Sequence, residues 1–441
     1  MFQAFPESKN VILSTDIFIS ICYCLEKQMK SNININNINL KNSNHQFETI
    51  EYEISTSKII QEKSILINEE KILYGHKLNG NCIEYAPLIF KFLRKLDNIR
   101  EIEIFESMLP KNNYNLLKES EGKGGSLFLS TSDKKFILKT ISSEELELFR
   151  NKLLIELAQY FQENNNSLLC RIYGIYKVKN TLEKEFNLLI MKNNYGIFEN
   201  NVLSIFDLKG SKLNRYVNIR GLKYNDIKYL ILKDNNFLET EKVLLLNNIN
   251  SKKLSEIVEK DSKFLAKMNI MDYSLLVVKI ELNDDELIKI FDTDFKIKNK
   301  LDLQIILDEI KEEKEKVKPQ LILREEYNPN NIRFLNENYE NLRKFFYPCL
   351  YNNILYLISI IDYLQTYSLF KVIETQFKRI KVKNYNEISS IDAESYKDRF
   401  IDFVKKITSQ KNIKERIKAI EGLDYVILWL YFSNYIKIYK N

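Results

Sequence analysis

The chain has 441 residues, 45% hydrophobic and 29% charged, a balance that excludes wholesale disorder, a collagen-like repeat and a polytopic membrane protein. Its 66 Lys and Arg against 60 Asp and Glu leave a net charge of +6, too small an excess to argue for nucleic-acid binding, and no nucleic-acid partner is expected. Two histidines, His45 and His76, and five cysteines without Cys-x-x-Cys spacing argue against a multi-His metal site, a disulfide framework and a structural zinc, and fit a reducing compartment. The N-terminus has no basic, then apolar, signal pattern. The most apolar runs, Ile17–Leu25, Ile354–Ile361 and Tyr425–Phe432, fall short of the roughly 20 residues of a membrane span and are predicted to be core segments of a soluble or peripheral protein. Residues 31–44 are rich in Asn and Ile and read as a surface insertion. A globular pattern resumes at Ile83, with Leu88, Phe92, Leu93 and Leu96 at helical spacing.

From Ser126 the period shortens. Leu127-Phe128-Leu129 and Phe136-Ile137-Leu138 flank a polar turn and predict a β-hairpin. Ser142 with Glu145 forms a capping-box signature, and Leu146, Phe149, Leu153 and Leu157 would share the buried face of the helix it opens. Ile172–Val178 and Phe186–Met191 predict two strands about a turn at residues 179–181. Strands, a helix, then strands describe an α+β arrangement, not an alternating parallel one. Further on, Leu254–Met268 is helical, Ser274–Ile280 and Leu287–Phe291 suggest a hairpin, and residues 307–318 are a solvated charge run. Ile354–Ile361 is a buried strand that delivers Asp362, and Tyr396, Phe400, Phe403 and Ile407 mark an amphipathic helix.

Three glycines, Gly122, Gly124 and Gly125, lie within four positions in a chain with only ten. Backbone N–H groups there could approach phosphate oxygens without a Cβ in the way, although a glycine cluster is more often a turn. The order is not that of a Walker loop. Set beside a hairpin, it looks like the loop that covers phosphates in kinases. Lys139, at the end of the run Ile137-Leu138, is either a solvated strand-end lysine or a cation for those phosphates. Asp272, in Met271-Asp272-Tyr273-Ser274-Leu275-Leu276, and Asp362, in Ile360-Ile361-Asp362-Tyr363-Leu364, stand among apolar neighbours. A carboxylate held there needs a partner, whether a helix cap, a salt bridge or a metal ion. Asp207-Leu208-Lys209-Gly210-Ser211 adds a third charged element.

Taken in order, these motifs resemble the phosphatidylinositol phosphate kinase family over about residues 80–410. The flanks agree, with Tyr85-Ala86-Pro87 upstream and Tyr396-Lys397-Asp398-Arg399-Phe400 near the end. The resemblance implies a two-lobed lipid-kinase fold of the SAICAR synthase-like kind, α+β, with antiparallel sheets and packed helices. Residues 1–80 would be an N-terminal extension, 81–195 the N-lobe and 196–441 the C-lobe, with a charged insertion at 281–350 and a specificity loop at 366–390. Gly122, Gly125 and Ser126 would cover the phosphates of ATP. Lys139 would pair with them, Met191 and Lys192 would hold adenine, and Lys209 would reach a phosphate. Asp272 corresponds to the catalytic aspartate and Asp362 to the Mg²⁺ ligand. Glu144, Glu145 and Glu147 compete as the glutamate that pairs with Lys139.

Residues 368–383 interleave Lys371, Lys378, Arg379, Lys381 and Lys383 with apolar side chains, a pattern suited to an anionic membrane surface. In the resemblance this is the loop that selects the substrate. Glu374 stands where kinases acting on the 5-hydroxyl of phosphatidylinositol 4-phosphate carry Glu. The implied product is phosphatidylinositol 4,5-bisphosphate, made by a cytoplasmic protein peripheral to the cytosolic face of the plasma membrane, with a homodimer left open. The alternatives are a kinase for another monophosphate isomer and a weakly active phosphoinositide-binding scaffold. The sequence departs from the family pattern at Gly124, Val278 and Val372.

Overall fold

The computed structural model describes residues 9–31, 48–62, 64, 78–109, 120–121, 127–283, 343–350, 354–366 and 391–422. They fall into two units, one of residues 1–165 and 170–197, the other of residues 166–169 and 198–441.

In the first unit the apolar run Ile17–Leu25 lies within a long helix, α1 (Lys9–Lys30), and is buried throughout. Strand β1 (Thr49–Ser55) leads into α2 (Thr56–Gln61), which Ser55 caps by accepting the Lys58 N–H at 3.1 Å. Strand β2 (Asn79–Tyr85), α3 (Pro87–Leu96) and α4 (Glu101–Met108) follow. Then come β3 (Ser120–Glu121), β4 (Leu127–Ser130) and β5 (Phe136–Ile141). Ser142 and Glu145 make the expected capping box at the start of α5 (Ser143–Leu148). A π-helical turn, Phe149–Leu153, continues it into α6 (Leu154–Glu163), and Leu146, Phe149, Leu153 and Leu157 are all buried. Strands β6 (Ile172–Lys179) and β7 (Glu185–Lys192) form the second expected hairpin.

The sheet runs β1-β2-β6-β7-β5-β4-β3, antiparallel throughout. Residues of α1 share one apolar core with Leu129, Leu138, Tyr173, Tyr176 and Leu188 of that sheet. The first 80 residues, expected as an extension, therefore supply this unit with a core helix and an edge strand. The buried face of α3 is rotated from expectation. Ile89, Phe90, Leu93 and Arg94 point inward, while Leu88, Phe92 and Leu96 are half-exposed. Ala86, at a φ of 46°, and Pro87 at the first helical position set this phase. Buried Arg94 donates from its two terminal nitrogens to the Tyr173 carbonyl at 2.7 Å, Gln28 at 2.6 Å and Glu101 at 3.2 Å.

The second unit holds a five-stranded sheet in the order β12-β13-β11-β8-β9, formed by β8 (Val202–Leu208), β9 (Ile231–Leu232), β11 (Ser274–Glu281), β12 (Phe346–Pro348) and β13 (Ile354–Ile361). Among its described strands the two-residue β8–β9 pairing is parallel, and Leu169 makes an isolated parallel bridge to Ile360 of β13. A two-stranded pairing joins β10 (Ile270–Met271) to β14 (Gln365–Thr366). The helices are α7 (Tyr224–Ile227), α8 (Asp234–Thr240), α9 (Asn248–Lys267), α10 (Ala393–Ile407) and α11 (Gln410–Gly422). Tyr396, Phe400 and Ile407 of α10 are buried as expected, whereas Phe403 is half-buried.

The expected hairpin between residues 274–280 and 287–291 is corrected. Strand β11 has β8 along one edge and β13 along the other, so neither edge is open to a third strand. Residues 287–291, the charge run 307–318 and the run 425–432 lie outside the described residues. Both units combine antiparallel sheets with packed helices, which is the α+β class read from the sequence.

Candidate functional site

Lys139 lies on β5 between Phe128 of β4 and Leu189 of β7. It is 8% exposed, and its ammonium stands 5.6 Å from the centre of the Phe128 ring. A solvated strand-end lysine, the plainer reading of the sequence, is therefore excluded. Gly122, Gly125 and Ser126 lie outside the described residues. The strands they connect, β3 and β4, pair Glu121 with Leu127, and Thr140 Oγ1 accepts the Leu127 N–H at 2.8 Å. The loop is thus rooted one residue from Lys139. Glu145 belongs to the capping box, Glu147 accepts from Arg150 at 3.0 Å, and Glu144 is exposed in the first turn of α5. Glu144 and Glu145 thus lie in the first turn of α5, and Glu147 pairs with Arg150 of the π-helical turn.

Met191 and Lys192 end β7. Met191 is in register with Ile137 and Ile172, and the Lys192 N–H donates to the Arg171 carbonyl at 2.9 Å. The Asn193 N–H donates to the Lys135 carbonyl at 2.9 Å. These bonds hold the strand end firmly and direct the chain out through Asn194, whose side chain is buried.

The charged motifs of the second unit meet around a break in its strand pairing. Met271 pairs with Gln365 on one side of the break, and Ser274 with Ile361 on the other. Asp272 and Asp362 occupy the gap between these rungs, with φ values of 65° and 59°. Left-handed backbone at a non-glycine residue is uncommon, and aspartate tolerates it better than most. The turn swings each carboxylate away from the apolar residues beside it in sequence. Asp362 is exposed, which corrects the expectation of an enclosed carboxylate there, whereas Asp272 is half-buried with its Oδ1 shielded from solvent.

Lys209 Nζ lies 2.8 Å from Asp272 Oδ1, too oblique for a hydrogen bond, so the contact is an ion pair. Next to Asp272, the Tyr273 ring is wedged between Tyr396 at 4.7 Å and Phe400 at 4.9 Å, and the Tyr396 hydroxyl donates to the Tyr273 carbonyl. Two motifs more than a hundred residues apart thus fix the aspartate together.

Three residues not singled out in the sequence, Asp234, Arg215 and Lys233, brace the segment that carries Lys209. Asp234, 1% exposed, accepts the Lys209 N–H at 2.9 Å and the Gly210 N–H at 2.8 Å on Oδ1, and Arg215 Nε at 2.6 Å on Oδ2. Arg215 also reaches Asp207 Oδ1 at 2.9 Å, and Lys233 donates to Asp207 Oδ2. Burial alone would raise the Asp207 pKa, but Arg215 and Lys233 outweigh it and hold the carboxyl well below the usual range. The only trace in the sequence is a charged pair, Lys233-Asp234, directly after apolar Ile231-Leu232.

Among the described residues no group of three or more His, Cys, Asp or Glu side chains gathers. Mg²⁺ is commonly held by one or two carboxylates, with phosphate oxygens and waters completing the octahedron. Exposed Asp362 across the gap from Asp272 is a donor set of that kind. Glu374, Lys371, Lys378, Arg379 and Lys381 lie outside the described residues.

A family model described as phosphatidylinositol-4-phosphate 5-kinase matches residues 110–407. With more than half of its length in that match, the chain belongs to the phosphatidylinositol phosphate kinase family. Its relatives carry both isomer names. A phosphatidylinositol 4-phosphate 5-kinase of Plasmodium falciparum is 28% identical over 349 residues, 73% of this chain and 18% of the relative. A phosphatidylinositol 5-phosphate 4-kinase type-2 beta of Mus musculus is 27% identical over 359 residues, 78% of this chain and 80% of the relative. A probable phosphatidylinositol phosphate kinase of Dictyostelium discoideum is 33% identical over 198 residues, 44% of this chain and 27% of the relative. The chain thus matches under a third of the length of the Dictyostelium and Plasmodium proteins.

Proposed function

We propose that the chain transfers the γ-phosphoryl group of ATP to the 5-hydroxyl of phosphatidylinositol 4-phosphate, giving phosphatidylinositol 4,5-bisphosphate. The observation that carries the phosphotransfer reading is the pairing break in the second unit, where Asp272, Asp362 and Lys209 come together within a family of lipid kinases. Phosphoryl transfer needs little covalent chemistry from a protein. It needs alignment of the attacking hydroxyl and neutralisation of charge on the transferred group.

In this reading Asp272 orients the inositol hydroxyl and accepts its proton. Lys209 pairs with that carboxylate and is close enough to share its charge with a phosphate. Lys139 neutralises the phosphates of ATP, and Met191 and Lys192 border the adenine. Asp362 holds Mg²⁺, which when bound withdraws charge from the phosphate oxygens. The choice of the 5-hydroxyl rests on Glu374. The 80% coverage of the mouse 5-phosphate 4-kinase favours a second reading, transfer to the 4-hydroxyl of phosphatidylinositol 5-phosphate. The proposed place of action is the cytosolic face of the plasma membrane, reached from the cytoplasm. No helix among the described residues is long and apolar enough to cross a membrane.

The test is transfer of radiolabel from ATP by the full chain to vesicles carrying each phosphatidylinositol monophosphate in turn. Label is expected chiefly on the 4-phosphate isomer, and Glu374→Ala is expected to shift it toward the 5-phosphate isomer. Label chiefly on the 5-phosphate isomer establishes the second reading. No label on any isomer refutes both.

A further inference from the structure

Seven large hydrophobic side chains are exposed among the described residues, and four of them, Tyr216, Leu222, Tyr229 and Ile231, lie within one stretch of sixteen residues. The same stretch carries exposed cations. Lys212, Arg220 and Lys223 are exposed and Lys228 is half-exposed, against a single acid, Asp226, across residues 212–231. From Asn214 to Arg220 burial alternates strictly: Arg215 points inward to Asp207 and Asp234, while Tyr216 and Arg220 point out.

The first part of the segment is anchored at several points. Asn235 donates from its side chain to the Lys212 carbonyl at 2.9 Å and from its N–H to the Arg215 carbonyl at 3.0 Å. Asn236 bonds both the N–H and the carbonyl of Val217, each at 2.9 Å. The segment is therefore a surface built against α8, and it leads directly from Lys209.

We propose that residues 212–231 form a bilayer-contacting element, separate from the loop at 366–390, whose occupant is an anionic lipid surface. Tyrosine is stable at the headgroup boundary, where its ring is apolar and its hydroxyl wet. Leu222 and Ile231 gain by leaving water for the acyl boundary, and the cations beside them gain from the negative potential of anionic lipids. A nucleic acid would match the cations but leave the two aliphatic side chains facing a polar backbone. The choice of a lipid surface rests on the proposed lipid substrate, because an enzyme of that kind must work where its substrate is embedded.

The test is sedimentation of the full chain with vesicles of phosphatidylcholine containing about one-third phosphatidylserine, and with phosphatidylcholine alone, at several salt concentrations. Three variants are compared with the unsubstituted chain. The first, Leu222→Ser with Tyr229→Ser and Ile231→Thr, is expected to bind phosphatidylserine vesicles at least about tenfold more weakly. The second, Arg220→Ala with Lys223→Ala and Lys228→Ala, is expected to lose about a hundredfold at low salt and much less at high salt. The third, Leu222→Trp in a Trp429→Phe background, is expected to be quenched by brominated lipid. Thermal unfolding of each variant should match that of the unsubstituted chain.

Sedimentation of the first two variants like the unsubstituted chain, or the absence of quenching in the third, overturns the inference. So does loss of binding to a single-stranded polynucleotide with vesicle binding intact. Phosphotransfer to short-chain, water-soluble phosphatidylinositol 4-phosphate separates the two proposals. Variants that keep transfer but lose vesicle binding support both. An unsubstituted chain that binds vesicles through this element yet labels no lipid leaves the element standing and removes the kinase reading.

Discussion

Asp234 is the most exacting test of how the site is held. Its carboxylate accepts from Lys209, Gly210 and Arg215 at 2.6–2.9 Å, and it is 1% exposed. A hydrogen bond to a charged group contributes about 1.5–3 kcal/mol net. Three independent bonds would sum to more than about 4 kcal/mol, but they share one carboxylate and are not additive. The two backbone donors are partly buried, so water can replace part of what they lose. Arg215 keeps Asp207 as a partner, which limits the cost of stranding its charge, otherwise about 3–5 kcal/mol. Asp234→Ala is therefore expected to destabilise the second unit by about 4 kcal/mol, and Asp234→Asn, which keeps one acceptor oxygen, by about 2 kcal/mol. In a unit of this size the alanine variant should melt about 8–16 °C lower.

The measurements are urea unfolding followed by circular dichroism, and kcat well below the melting temperature of Asp234→Asn. Because Asp234 fixes the backbone of Lys209, the ion-pair partner of Asp272, kcat is expected to fall about tenfold. An alanine variant within about 1 kcal/mol of the unsubstituted chain would refute the reasoning, since that is the scale of a single solvent-compensated bond.

Other outcomes follow from single observations. Asp362→Asn should lower transfer by about 10²–10³-fold at saturating Mg²⁺, and equal label from both proteins would remove its assigned role. Gly210 has a φ of 66°, and a Cβ there would come within 2.9 Å of Phe403 Cβ and 3.4 Å of the Arg399 carbonyl; Gly210→Ala should cost about 2–3 kcal/mol in urea unfolding. Burial raises the Glu84 pKa from 4.5 to about 7 against the opposing pull of Arg94 and the Tyr176 hydroxyl, with Glu101 adding to the rise. The folded state then binds the extra proton between those two values, so the stability attributable to this group falls as pH rises from about 4.5 to about 7 and is level above. The loss relative to Glu84→Gln should be about 3 kcal/mol, and parallel stability–pH curves for the two proteins would exclude it.

The elements legible in the sequence were those with short-range causes. The β4–β5 and β6–β7 hairpins, the Ser142 capping box and the strand ending at Asp362 each follow from period, turn residues or a cap within ten positions. The misreadings share a different origin. The α3 helix was phased by its apolar residues alone, but Arg94 takes a core position because Gln28 and the Tyr173 carbonyl, both distant in sequence, receive it. Strand β11 was paired with its neighbour in sequence, but it lies between β8 and β13, and periodicity carries no information about which strand a buried strand adopts. Asp234 and Arg215 escaped notice because an Asp and an Arg nineteen residues apart show no pattern until the chain folds.

The two aspartates show why a motif can be legible while its geometry is not. Apolar neighbours on both sides suggested enclosed carboxylates in need of partners, and for a residue in ordinary extended backbone that inference would have held. Both residues instead take left-handed φ angles where one antiparallel ladder ends and another begins. Such a conformation costs on the order of 1–2 kcal/mol per residue and persists only where the surroundings over-determine it. The surroundings here do: Tyr273 is clamped by Tyr396 and Phe400 on one side of the break, and the β10–β14 pairing closes the other. Two strained residues held opposite one another, both of them acids and one already paired to a lysine, are a costly arrangement for stability alone. The apolar runs around them hold the backbone in place, leaving Asp362 exposed and Asp272 paired to Lys209.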